Sequence, residues 1–248
     1  MKLYLRYIVL IIGLEIIMIV FFDFEKWVTI LISVTIGMGL YFSHLLMLEI
    51  NRVRLINNKC DPESYIQMTI EMKKSKFPSV PAAIRDLELA GAYGALGDFD
   101  QSKEILLSID TNPYKKSTTI MGLYYNYLAS AYLYLGDLEE SERIFNEHTR
   151  PLNFKRKILI VGSKLTEAEF LFYKKEYQAA KKLINEVLDT LKVNSLRIEC
   201  IYFLAQIDEV EGYNEEALLK YQKVAEEGNK LWFAKKAKEI ILSRYQSL

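Results

Sequence analysis

The stretch LASAYLYLGDLEESERIF, residues 128–145, decides the fold. It reads as a helix, a Gly-Asp turn and a second helix. Gly136 can take the left-handed conformation that ends a helix without strain, and Asp137 can cap the helix that follows. One such hairpin cannot bury its own apolar face, so the question is whether it recurs.

It does. Leu89-Ala90-Gly91-Ala92-Tyr93 precedes Leu96-Gly97-Asp98-Phe99 and Ser102, as Leu128-Ala129-Ser130-Ala131-Tyr132 precedes Leu135-Gly136-Asp137-Leu138 and Ser141. Glu167-Ala168 leads to Lys175-Glu176-Tyr177 and Ala180, and Leu204-Ala205 to Gly212-Tyr213 and Ala217. The small residue recurs at 90, 129, 168 and 205, at spacings of 39, 39 and 37. A small residue in each helix lets the two approach closely, and Leu106, Phe145, Ile184 and Tyr221 follow as large apolar fillers. The third unit departs from the pattern, with Lys175 where glycine is expected.

The Leu-Ala-x2-Tyr first helix, the Gly-Asp-aromatic turn and the small residue three positions on resemble the tetratricopeptide repeat over residues 82–227. The period is longer than the usual ~34 residues, and the family's closing proline is not regular. The resemblance implies an α-solenoid of about four helix pairs whose first helices line a concave groove. The groove positions it implies are Leu87, Gly91, Gly94 and Ala95; Asn126, Ser130, Leu133 and Tyr134; Leu165, Glu169, Phe172 and Tyr173; and Tyr202, Gln206, Glu209 and Val210. Of these, Asn126, Ser130, Tyr134, Glu169, Phe172, Tyr173, Tyr202, Gln206 and Glu209 supply rings and polar groups suited to a protein or peptide partner. The family's clamp for C-terminal carboxylates needs Lys, Asn and Arg on this face. Only Asn126 is of that kind, so that ligand class is not expected. Tyr and Phe at helical spacing equally serve as core between repeats.

Ahead of the repeats the chain is apolar. Residues 3–22 and 27–48 are two runs of about 20 residues, each long enough as a helix to cross a ~30 Å hydrocarbon core. Asp23-Phe24-Glu25-Lys26 between them reads as the turn of a transmembrane hairpin. Tyr4, Tyr7, Phe24, Trp27, Tyr41 and Phe42 fall near the two interfaces. Lys2 and Arg6 before the hairpin, and Arg52, Arg54 and Lys59 after it, place both termini in the cytoplasm of a two-span protein of the cell membrane. The first run is too long for a signal peptide and lacks a small-x-small cleavage site. Glu15 sits in the first span, at the depth of Ser33 and Thr35. Ser33-x3-Gly37 and Thr35-x3-Gly39 are small-x3-small pairs that admit a second helix. Glu15 and these four residues either bond across the hairpin or contact another membrane protein or a second copy.

The expected organisation is all-α: a hairpin over residues 1–50, a juxtamembrane linker and capping helix over 51–81, and the solenoid with its C-terminal cap over 82–248. Asp61-Pro62-Glu63 opens the capping helix, and a basic-apolar segment from Asn229 closes the chain as a last helix. Lysine plus arginine and aspartate plus glutamate number 32 each, so no global field recruits nucleic acid. Cys60 and Cys200 are far apart and outside any metal-ligand spacing. Phosphate-binding glycine loops, HExxH and GxSxG are absent from the sequence. Paired acids such as Glu139-Glu140 sit at helix starts, where they favour the dipole. The expectation is a non-catalytic, cofactor-free scaffold anchored in the bilayer of a bacterial cell. The alternatives are a regulatory receptor for a short peptide and a membrane-complex subunit recognised through its hairpin.

Overall fold

The structure is a computed structural model describing residues 9, 12, 13, 16, 17, 20, 26–74 and 81–245. Glu15 and the turn at Asp23, Phe24 and Glu25 lie outside the described residues. Those described form eleven α-helices and no strand. The chain divides into two compact units, Met1–Arg52 and Val53–Leu248.

In the first unit, helix α1 (Lys26–Asn57) begins. Among the described residues, its segment Ile30–Asn57 is the one helix long and apolar enough to cross a membrane. Leu31, Met38, Phe42 and Leu46 are exposed on it. The two small-residue pairs separate: Ser33 and Gly37 are buried, whereas Thr35 and Gly39 are exposed. Thr35 returns its hydroxyl to the Leu31 carbonyl at 2.7 Å, which satisfies a polar side chain within its own helix.

The second unit holds the remaining helices. Helix α2 (Pro62–Lys73) starts with Pro at its first position and Asp61 as cap, the Asp61 carboxylate accepting from the Ser64 amide at 3.1 Å. Four antiparallel pairs follow: α3 (Ala82–Leu96) with α4 (Phe99–Ser108), α5 (Thr118–Tyr134) with α6 (Leu138–Ile144), α7 (Lys157–Tyr173) with α8 (Tyr177–Leu188), and α9 (Asn194–Val210) with α10 (Asn214–Glu227). Helix α11 (Trp232–Tyr245) closes the unit. First helices touch in chain order, α3 to α5, α5 to α7 and α7 to α9.

All four pairs turn on one hydrogen-bond pattern. Gly97, Gly136, Lys175 and Gly212 each have positive φ (92°, 90°, 66° and 89°). The amides of the residues that follow, Asp98, Asp137, Glu176 and Tyr213, bond the carbonyls of Tyr93, Tyr132, Leu171 and Asp208 at 2.8–3.0 Å. This is the Schellman closure, in which a left-handed residue satisfies carbonyls that the helix end would orphan. Lys175 therefore holds a conformation that costs a side-chain-bearing residue roughly 1 kcal/mol. Asp98 and Asp137 also cap the next helix, accepting from Gln101 and Glu140 at 3.1 Å, each worth ~1 kcal/mol. The third and fourth turns have no such side-chain cap.

The packing follows from the recurring residues. Ala90, Ala129, Ala168 and Ala205 are at most 1% exposed, as are Ala180 and Ala217. Ser102 and Ser141, buried at the same register, donate to the Ala90 and Ala129 carbonyls at 2.8 and 2.5 Å. A serine is tolerated there because its hydroxyl finds a backbone acceptor across the pair. Leu106, Phe145, Ile184 and Tyr221 fill the space behind them, each fully buried.

Two local features differ from the sequence reading. α6 ends at Ile144 and widens into a π turn, Phe145–Thr149, closed by the Arg150 amide on the Phe145 carbonyl at 2.9 Å. α11 starts at Trp232, not Asn229, because Asn229 sits at φ 47° in a tight turn that its side chain ties to the Lys59 carbonyl at 2.8 Å.

Candidate functional site

The second unit closes on itself. The Lys230 amide donates to the Cys60 carbonyl at 3.1 Å, and the Lys230 ammonium reaches Asp61 and Glu63 at 3.1 and 3.0 Å. Asn194 donates to the Asn58 carbonyl at 3.5 Å. Two residues on from Lys230, Trp232 packs edge-on to Phe99 and Tyr134, with ring centroids 5.5 and 5.1 Å away. The approach needs glycine: a Cβ on Gly97 would fall 2.1 Å from the Trp232 ring. The last helix is thereby joined to the turn of the first pair.

Closure leaves a cavity of about 300 Å³ on the side that faces the first helices. Small residues make it. Gly91, Gly94 and Ala95 of α3, Gly122 and Ser130 of α5, and Gly162 of α7 lie along its wall. Glycines also accept the rings that shape it: a Cβ at Gly91 would stand 2.8 Å from the Tyr127 ring, and one at Gly122 would stand 2.3 Å from Phe154. Phe154, in the connection before α7, and Leu231 and Phe233, around the start of α11, complete the apolar lining.

At one side of this cavity two carboxyl groups meet. Glu169 of α7 is 4% exposed and accepts the Tyr134 hydroxyl proton at 2.5 Å. Glu199 of α9 hydrogen-bonds Glu169. Burial pushes Glu169 up to about 7 despite the opposing hydrogen bonds from Tyr134 and Glu199. Burial, then the charge of Glu169, hold Glu199 well above the ordinary carboxylate range. The two therefore titrate as a coupled pair, and both hold their protons to higher pH than a free carboxyl. Burial likewise raises Tyr134, and raises Tyr127 to about 12, so both hydroxyls are neutral donors. Asn126 and Thr166 add a polar patch, the Thr166 hydroxyl donating to the Asn126 amide oxygen at 3.0 Å. Among the described residues no lysine, arginine or histidine lines the cavity.

The two carboxyls hydrogen-bond each other. Both cysteines are buried with their thiols raised by burial, unlike reactive cysteines. Among the described residues no cluster of three or more metal-ligating side chains occurs.

The groove positions named from the sequence divide between two places. Asn126, Ser130, Tyr134 and Glu169 line the cavity, with Gly91, Gly94, Ala95 and Leu165. Phe172, Tyr173, Tyr202, Gln206 and Glu209 do not. Tyr202 is 4% exposed, with Phe233 at 5.2 Å and Trp232 at 6.2 Å. Phe172 packs against Phe203 at 5.3 Å and Tyr177 at 5.6 Å. Glu209 accepts the Tyr221 hydroxyl at 2.8 Å and pairs with Arg244. Tyr173 is exposed at the rim of the same aromatic group, 6.4 Å from Tyr134, and Gln206 is half-buried. The end of the groove that they would have formed is taken up by α11, whose first-turn rings occupy it.

Sequence reasoning missed Glu199, Tyr127, Thr166, Phe154 and Phe233. A signal existed for one of them. Leu123, Gly162 and Glu199 each stand six residues before the recurring alanine, so the lining stripe runs a turn further back than the positions chosen. Comparison with protein-family models, characterised proteins and solved structures finds no match.

Proposed function

We propose that this chain is a non-catalytic, membrane-anchored binding protein of tetratricopeptide type. In this reading two apolar spans hold it in the bilayer with both ends in the cytoplasm. The helix pairs form an α-solenoid, and its concave side captures a segment of a protein or peptide partner. The identical turns, the alanines buried in register and the touching first helices support the repeat reading.

The observation that carries the function is the cavity, built by first-helix residues at recurring positions and lined by rings and a few polar groups. Its modest volume favours a receptor for a short segment over a scaffold with a long open groove. Anchoring would raise the effective concentration of that site for partners at the membrane. A second reading, docking through the spans, draws on Thr35 and Gly39, exposed on α1 with open space beside Gly39.

The test is photo-crosslinking in intact cells. The crosslinker replaces Ile158, half-exposed at the cavity wall, or Leu219, exposed on α10. Each version is made with the native spans and with an unrelated two-span anchor. The proposal expects one partner at position 158 in both anchors and none of it at 219. Equal capture at 219, or capture only with the native spans, would refute the cavity as the recognition element.

A further inference from the structure

We propose that the cavity receives a positively charged organic group, an alkylammonium or guanidinium head on an apolar stem, with the charge seated against the Glu169–Glu199 carboxyl pair. This rests on the reading of the cavity as the occupied site and adds the chemistry of its occupant.

The lining is unbalanced in charge. Among the described residues it holds two carboxyls and no basic side chain, and its other polar groups are neutral amides and hydroxyls. A buried charge without a counterion is costly, which is why the pair retains a proton when the site holds no cation. A ligand cation removes that cost by replacing the proton, whereas an anion would add to it. A neutral apolar occupant would leave the pair as it is. The rings fit the same guest. Tyr127, Tyr134, Phe154 and Phe233 line the cavity and supply aromatic surface that can attract a cation and cover an apolar stem. The volume is at the small end for ligand sites and suits one side chain or a small amine.

Arg197 of α9, whose charge reaches Cys200, is not among the residues that line the cavity, and four further groups feel the charge of the pair directly. They are Tyr127 and Tyr134 from α5, Tyr173 from α7 itself, and Cys200 from α9. All are raised by burial and stay neutral near pH 7, so none of them supplies the missing cation. Cation binding should therefore expel close to one proton from the pair when the pH is below 7.

The experiment is calorimetric titration of the full chain in phosphatidylcholine nanodiscs at pH 6, with empty discs as the blank. The free probes are 4-phenylbutylamine and its neutral counterpart 4-phenylbutanol. The peptide probes are Ac-Phe-Lys-Phe-NH2 and the same peptide with norleucine for lysine. Titrations in two buffers of different ionisation heat count the protons released. The inference expects the charged member of at least one pair to bind about tenfold tighter or better, a difference of ~1.4 kcal/mol, with proton release. It expects the preference to vanish in the Glu169→Gln/Glu199→Gln variant and to shrink in Glu199→Gln alone, should the double variant fold poorly. Preference in the peptide pair identifies a basic side chain as the source, and preference in the amine pair alone identifies a free amine. Equal binding of charged and neutral probes, absence of binding by both, or a preference that survives the variants overturns the inference. Crosslinking at position 158 is independent of these results, so the binding reading can stand when the cation does not. An amine preference without any captured partner would retain the cation and remove the peptide.

Discussion

Without a ligand, the Glu169–Glu199 pair should make this protein lose stability as the pH rises through neutrality. A carboxyl moved from 4.5 to about 7 binds its proton more tightly in the folded state by about 3 kcal/mol. Below pH 4.5 both folded and unfolded chains are protonated at Glu169, and the contribution is complete. Between 4.5 and 7 the unfolded chain has released a proton that the folded chain still holds. Stability therefore falls with pH across that window and finishes falling above 7. Glu199, raised further in the same direction, extends the decline upward. For a chain of this length ~3 kcal/mol corresponds to roughly 6–12 °C in Tm. The assay is thermal or denaturant unfolding of the full chain in detergent from pH 5 to 8, beside the Glu169→Gln/Glu199→Gln variant. The variant should be flatter across this range by about that amount. Wild type and variant profiles that run parallel would show that the pair does not hold its protons, and the reasoning would fail. A cationic ligand should reduce the decline, since it stabilises the ionised pair.

Lys175→Gly removes a side chain from a left-handed position and should raise stability by about 1 kcal/mol, read as a higher urea midpoint at unchanged slope. Gly97→Ala and Gly212→Ala share the φ penalty, but only at Gly97 does the added methyl meet a neighbour, the Trp232 ring. Gly97→Ala should thus cost at least ~2 kcal/mol more than Gly212→Ala in denaturant melts, because Trp232 must leave its packed site. A fluorescent protein that matures only in the cytoplasm, fused after Leu248, should light up. Darkness with intact fusion protein would refute the proposed orientation.

The turns show how far the chain specifies itself. Gly97-Asp98 and Gly136-Asp137 announce a left-handed stop and a cap in two adjacent letters, and the structure has both there. The third turn was harder, because Lys175 carries no conformational signal. The hydrogen-bond closure places it there nonetheless, at an energetic cost the surrounding pair sustains. The alanines at 90, 129, 168 and 205 were visible as a period and are buried in register, since close helix approach leaves room for little more than a methyl.

The carboxyl pair was not visible in that way. Glu169, named from its place in the repeat, and Glu199 lie thirty residues apart on different helices, and neither position announces the other. What brings them together is the touch of α7 on α9, and the closure of the unit buries Glu169 and half-buries Glu199. That closure depends on Trp232 reaching Gly97 and on Asn229 and Lys230 reaching residues 59–63. These contacts carry no periodic signal, because each is made once. What is local and repeated is legible in the residues alone: an all-helical chain, an apolar N-terminal helix, the turn sites and the small core positions. Each follows from backbone preferences or from a period that recurs along the chain. Where the rings of α11 pack and that two distant glutamates meet could be learned only from the folded chain. Those outcomes depend on side chains from opposite ends of the chain meeting in three dimensions, a relation that no local pattern encodes.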